Sequence, residues 1–197
     1  MDQPLGLAIG NALEMREAVE LLSGKIPNTD PLYRVCMLLG VQMLLLSGIT
    51  HDEEEAERML TAAIADGRGL AKLRERIRAL GGDESYISVK GMEKLCAVKR
   101  KVEIRAEQDG YIGPMEAEGI GTAAQLLGAG RATKEDTIDP AVGLVMAVRR
   151  GDRVKKGDLM CTMYVNREDR LQEAVDLFRV SVPVVDEQQQ GPPMVYA

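Results

Sequence analysis

Few residues in this chain could do chemistry. His51 is the only histidine. A Ser-His-Asp triad would need it, yet it stands at the start of an acidic stretch, Asp52-Glu53-Glu54-Glu55, where a surface position is the plainer reading. With one imidazole, Cys–His and His-rich metal sites lack ligands. Cys36, Cys96 and Cys161 are odd in number and widely spaced, without a C-x-x-C, which fits the reduced thiols of a cytoplasmic protein.

Four further stretches invite a chemical reading. GIGTAA at 119–124 fits G-x-G-x-x-A, and Asp139 follows at about the spacing of ~20 residues that a dinucleotide fold uses. That fold needs a parallel strand before the glycines and another after the helix, and the flanks here do not supply them, so close helix packing is the preferred reading. GDRVKKGD at 151–158 resembles the glycine-turned hairpins of biotinyl and lipoyl carriers. Lys155 and Lys156 sit within the turn and not at a hairpin tip, so a swinging arm is not expected. In LGAGRATKEDTID, residues 127–139, Arg131 and Lys134 could hold an anion; the favoured alternative pairs Arg131 with Asp136 or Asp139 to brace the loop. Glu17, one turn after Glu14, reads by itself as a solvated charge.

These residues need elements to position them. Asn11-Ala-Leu-Glu14 has the form of a capping box, followed by an apolar face of Leu13, Ala18, Leu21 and Leu22 and a stop at Gly24. Asp30-Pro31 begins a second helix, Thr50-His-Asp-Glu53 caps a third that ends at Gly67, and a fourth runs from about Leu70 to Leu80. After Cys96 the pattern turns to strands: AVKRKVEIRAE, YIGPMEA, AVGLVMAVRR, LMCTMYV and RVSVPVV. GIGTAAQLLGAG forms a helix between them, and Asn166 caps another, NREDRLQEAVDLF. The chain divides near residues 90–97, giving expected regions 1–95, 96–185 and a polar tail 186–197 that docks or frays.

Composition narrows the function. At 197 residues the chain can bury a core, and 45% apolar content fits a globular protein. Aromatics are only 3%, so Leu and Met must fill that core. A net charge of −6, with bases and acids interleaved, gives no basic face for nucleic acid. The most apolar run, residues 35–46, is too short to span a bilayer and reads as a buried helix. No secretory leader is visible, so neither nucleic acid nor membrane is expected as a partner.

The string MDQPLG-x-A-x-GNALE-x-x-EA at the start of the chain is specific, and so is LGAGR-x-x-K-x-D-x-ID-x-x-VG from Leu127 to Gly143. Together with the G-D-x-V-x-x-G-D turns and the closing PP-M-V-Y, they resemble the pyrimidine-nucleoside phosphorylase and thymidine phosphorylase family, in the same order and across nearly the whole chain. In that family MDQPLG is internal, so the resemblance is to the C-terminal part.

The resemblance implies an α/β fold, or α+β for this piece alone. Residues 1–95 would be helices covering part of a central mixed sheet whose strands lie mostly elsewhere, and residues from 96 a β-rich domain of hammerhead or barrel-sandwich type. It implies an enzyme portion: a pentosyltransferase that phosphorolyses pyrimidine nucleosides to base and pentose 1-phosphate, with phosphate and nucleoside as ligands, a homodimer when intact, and a role in nucleoside salvage. The family's K-x-S-x-G-G phosphate loop does not occur here, so no catalytic residue is nominated and the chain alone is expected to be inactive. A potassium site does carry over, its ligands falling on the backbone carbonyls of Leu5 and Ala8 and the carboxylate of Glu17. The alternative is a non-catalytic homologue used as an interaction or regulatory module.

Overall fold

A computed structural model describes residues 3–131, 133–189 and 191. The opening Met1 and Asp2 and the tail from Pro192 lie outside the described residues, and with them the expected fate of that tail. The described chain is mixed α/β, with seven α-helices and two small antiparallel sheets. It forms two compact units: residues up to Met15 join those from Glu93 onward in one, and Arg16–Met92 make the other.

The Arg16–Met92 unit is helical. Helix α1, Asn11–Leu22, enters it and stops at Gly24, whose φ of 68° an L side chain adopts with difficulty. Helix α2, Pro31–Leu46, starts where the Asp30 carboxylate accepts the Leu32 N–H at 2.8 Å, with proline in the first turn where no donor is missed. Helix α3, Glu53–Ala65, packs on it through Gly40: a Cβ there would lie 2.8 Å from Leu60 Cδ1. The cap of α3 is Asp52, which accepts the Glu55 N–H at 2.8 Å, and not Thr50. Thr50 is buried and instead donates its hydroxyl to Glu55 Oε2 at 2.6 Å, tying the preceding turn to the helix. Helix α4, Arg68–Ala79, follows, then a short 3-10 turn at Glu84–Tyr86 and helix α5, Val89–Leu95, neither expected from the sequence. Residues 35–46 form a helix as expected, but only Met37 of α2 is buried.

The other unit holds the main core. Strands β1 (Ala8–Ile9), β2 (Arg100–Arg105), β4 (Gly143–Met146) and β6 (Leu159–Val165) form a sheet in the order β1-β4-β6-β2, and β3 (Gly110–Ile112), β5 (Arg153–Val154) and β7 (Val184–Val185) form a second in the order β5-β3-β7. Helices α6 (Ala117–Leu127) and α7 (Leu171–Ser181) pack against each other. Phe178, the only phenylalanine, is fully buried with Ile120, Leu127, Leu144 and Met163. Leu and Met supply only part of this core; Val, Ile and Ala supply more of it.

Two expectations fail here for identifiable reasons. RVS of RVSVPVV completes α7, leaving only Val184–Val185 as strand, because Ser181 and Val182 turn into the core against α6. Asn166 does not cap α7, which begins after Arg170. Its amide donates to Asp139 Oδ2 at 2.6 Å and its carbonyl accepts the Lys99 N–H at 2.9 Å, two tertiary bonds that replace a local one.

GIGTAA lies inside α6 and not at a strand-to-helix turn, which removes the phosphate-cradling geometry of a dinucleotide site. A Cβ on Gly119 would fall 2.0 Å from Ser181 Oγ, so this glycine is there for helix contact. In GDRVKKGD, each aspartate closes a turn: Asp152 Oδ2 accepts the Arg149 N–H at 2.7 Å and Asp158 Oδ2 the Lys155 N–H at 2.8 Å. Gly151 and Gly157, at φ of 87° and 93°, allow the reversals.

Candidate functional site

The opening loop is the part of this chain to which a ligand role was assigned, and it is built into the β-containing unit. Ala8 pairs with Val145 and Ile9 with Leu144, while Leu7 accepts the Met146 N–H at 2.7 Å. Leu7–Met146 is thus a hydrogen-bonded pair, and the alternation of an antiparallel ladder turns the N–H and C=O of Ala8 to the side of β1 away from β4. Gly10 and Gly143 then meet back to back. A Cβ on Gly143 would lie 2.1 Å from the Ile9 carbonyl oxygen, and one on Gly10 2.5 Å from that of Val142. Their φ values, 149° and 134°, also disfavour side chains.

The entry into α1 is capped one residue earlier than its sequence suggests. Glu14 reaches back to the Gly10 N–H at 3.0 Å, and the Glu14 N–H donates to the Gly10 carbonyl at 2.8 Å. Asn11 is the first helical residue, and its side-chain amide donates to the Ala129 carbonyl at 3.0 Å. The Ala12 N–H donates to Pro140 O at 2.9 Å, and the Cys96 thiol to Ala12 O at 3.4 Å. Two of the segments that carried the family resemblance, the opening string and Leu127–Gly143, are therefore in direct contact through Asn11 and Ala12.

The second segment is braced by Asp139. Its carboxylate accepts the Ala141 N–H at 3.0 Å and the Asn166 amide, while its own N–H donates to Gly128 O at 2.9 Å. Asp136 Oδ2 accepts the Thr133 N–H at 2.9 Å, and the Gln125 amide bonds the Arg131 carbonyl. These aspartates and the glutamine brace the segment through its backbone.

The assigned cation ligands distribute as follows. Leu5 lies in the opening loop and is 42% exposed. Ala8 is half-buried in β1, and both belong to the β-containing unit. Glu17 is half-buried on α1 in the helical unit, where its charge acts with burial to raise the pKa of Cys36; burial is the larger cause. Among the described residues no group of three or more His, Cys, Asp and Glu side chains is placed to hold a metal. His51 is exposed. Burial pushes the Cys161 thiol up to about 12, which keeps it protonated and inert at neutral pH. No helix among the described residues is long and apolar enough to cross a membrane.

The described chain is thus a mixed α/β protein with two antiparallel sheets, one main core cluster and a glycine-locked loop at one sheet edge. Residues 111–184 match the family described as pyrimidine nucleoside phosphorylase C-terminal domain. The whole chain is 43% identical over 199 aligned positions to a pyrimidine-nucleoside phosphorylase of Geobacillus stearothermophilus, covering 100% of this chain and 44% of that protein. Its counterpart in Bacillus subtilis (strain 168) is 40% identical over 169 residues, 86% of this chain and 38% of the relative. One in Staphylococcus aureus (strain USA300) is 39% identical over 186, covering 94% and 42%. Residues 111–184 thus correspond to the C-terminal domain of that family, and the chain spans less than half the length of these relatives.

Proposed function

We propose that this chain serves as the C-terminal part of a pyrimidine-nucleoside phosphorylase, a pentosyltransferase. In the reaction a phosphate oxygen bonds to the anomeric carbon of the pentose, the glycosidic bond breaks, and the base leaves with the electron pair and takes up a proton. Such a reaction depends on positioning the anion and stabilising charge on the departing base. The K-x-S-x-G-G stretch associated with phosphate binding does not occur in this chain, so its part is support. The observation that carries this reading is identity near 40% running through both units, from the opening loop onward.

Potassium belongs to the same proposal, held by the Leu5 and Ala8 carbonyls and the Glu17 carboxylate. The fit is chemical: all three are hard oxygen donors, and the β1 register turns the Ala8 carbonyl outward from the sheet. When bound, the ion supplies positive charge that favours a neighbouring phosphate. The loop's own part would be to offer its carbonyls, and that of α1 to present the carboxylate.

The finer architecture follows the same reading. The β-containing unit is of hammerhead or barrel-sandwich type, supported by two antiparallel sheets with glycine-aspartate turns around one core. The helical unit covers a central mixed sheet supplied by other strands, supported by the apolar side chains α2 leaves exposed. Homodimer formation, a cytoplasmic location and a place in nucleoside salvage complete the proposal.

The test is phosphorolysis of uridine and thymidine by this chain alone and mixed with the upstream half of a close relative. Activity only in the mixture is the expected result. Inactivity of a mixture that forms a stable complex would favour the non-catalytic interaction module instead. In the active assembly, Glu17→Ala should raise the potassium needed for half-activation; an unchanged requirement removes Glu17 from the site.

A further inference from the structure

The anchors of the opening loop come from residues more than a hundred positions away in the sequence. Three rungs fix it: Leu7 with Met146, Ala8 with Val145 and Ile9 with Leu144. The approach at Gly10 and Gly143 is tighter than any side chain permits, with a Cβ on Gly143 placed 2.1 Å from the Ile9 oxygen and 3.1 Å from the Gly10 Cα. Beyond it, Asn11 reaches Ala129 O at 3.0 Å. Ala129 follows the α6 cap Gly128, which is itself held by the Asp139 N–H. Residues 7–10, held by these rungs on one side and by Asn11 on the other, have little freedom to choose where their carbonyls point.

We propose that Gly143 and Asn11 are positioning residues for the Ala8 carbonyl, so that the β4 strand and the α6–β4 connection, and not the loop itself, set the geometry with which that carbonyl meets a cation. The proposal rests on the cation reading given above. Gly143 acts through its missing side chain: a methyl group there displaces the Ile9 carbonyl and breaks the register that turns Ala8 outward. Asn11 acts through its amide, which fixes the first turn of α1 against the 128–130 turn.

The experiment is hydrogen exchange of the full chain, read at the amides of residues 5–10, in potassium chloride and in choline chloride of equal ionic strength. In the unsubstituted chain potassium should slow exchange there. Gly143→Ala should speed exchange at residues 7–10 by about tenfold or more and abolish the potassium effect, with α7 unchanged. Asn11→Ala should weaken the potassium effect severalfold, and Asn11→Gln, which keeps an amide donor, should recover part of it. A merely structural role would change the basal rates without changing the potassium difference. Retention of both loop protection and the full potassium effect in Gly143→Ala overturns the proposal. If Gly143→Ala does not fold, an undiminished potassium effect in Asn11→Ala overturns it instead. If the unsubstituted chain shows no potassium effect while Gly143→Ala still frees residues 7–10, the cation reading falls and the anchoring stands.

Discussion

The two units spend their apolar residues differently. The twelve largest fully buried side chains among the described residues, Phe178 and Leu13 at their head, all belong to the β-containing unit. Of the ten exposed large hydrophobics, eight lie in the helical unit: Leu38, Leu39, Met43, Leu46, Ile49, Met59, Leu80 and Val89. Yet α2 has the more apolar sequence: its 16 residues include one arginine and no other charge. Apolar sequence and burial therefore separate in this molecule. One unit completes a core with its own strands and helices, and the other arranges helices that leave large apolar side chains exposed.

The contrast can be broken or sharpened by substitution. The largest effect is expected for Phe178→Ala, which empties the centre of the finished core. It should cost about 3–5 kcal/mol by urea or thermal denaturation of the chain, and a loss below that of a surface change would show the core to be loosely packed. Gly119→Ala should come next. Its methyl meets Ser181 Oγ at the α6–α7 contact, and overpacking of this kind costs about 1–3 kcal/mol. Pairing it with Ser181→Ala should return part of that loss, because the clashing oxygen is gone; strictly additive losses would locate the strain elsewhere. In the helical unit Asp30→Ala removes the cap of α2 and should cost about 1 kcal/mol, read as lost helicity by circular dichroism on heating. The smallest effect belongs to Leu46→Ser, at a side chain 87% exposed, within about 0.5 kcal/mol of no change. The same substitution should reduce binding of a hydrophobic dye. A loss as large as that of Asp30→Ala would mean that Leu46 is held by the fold after all.

Legibility in the sequence followed the same division between local and distant causes. The four long helices were readable because caps, prolines and terminal glycines act within a few residues, as at Asp30-Pro31 and Gly24. Strands β2, β3, β4 and β6 were readable as segments, but β1 and β5 were not, nor was the order β1-β4-β6-β2, since it depends on pairings such as Ile9 with Leu144. Helix α5 was missed: it is seven residues long and contains Gly91, too short and too interrupted for a period to show. Asn11 and Asn166 were misread for one reason. A side chain that looks like a local cap was claimed by a partner far along the chain, Ala129 in one case and Asp139 in the other. Of the candidate site, Leu5, Ala8 and Glu17 were reached through family resemblance, since nothing in those residue types alone marks them. The glycine pair that anchors their loop was visible only as two unremarked glycines, because its meaning lies in a close approach that no spacing encodes.

The paired turns around β5 carry a consequence for how this chain can change length. Gly151 donates to Ile112 O and Asp152 accepts from the Ile112 N–H, while Gly157 and Asp158 make the same two bonds with Ala106. Both ends of the span are thus fastened to backbone, and the residues between them have a fixed distance to cover. Val154 faces inward and Arg153 outward. Adding or deleting one residue there would put the guanidinium where the valine belongs, because strand side chains alternate. Evolution can alter the letters of that span, but it has no freedom to alter their number.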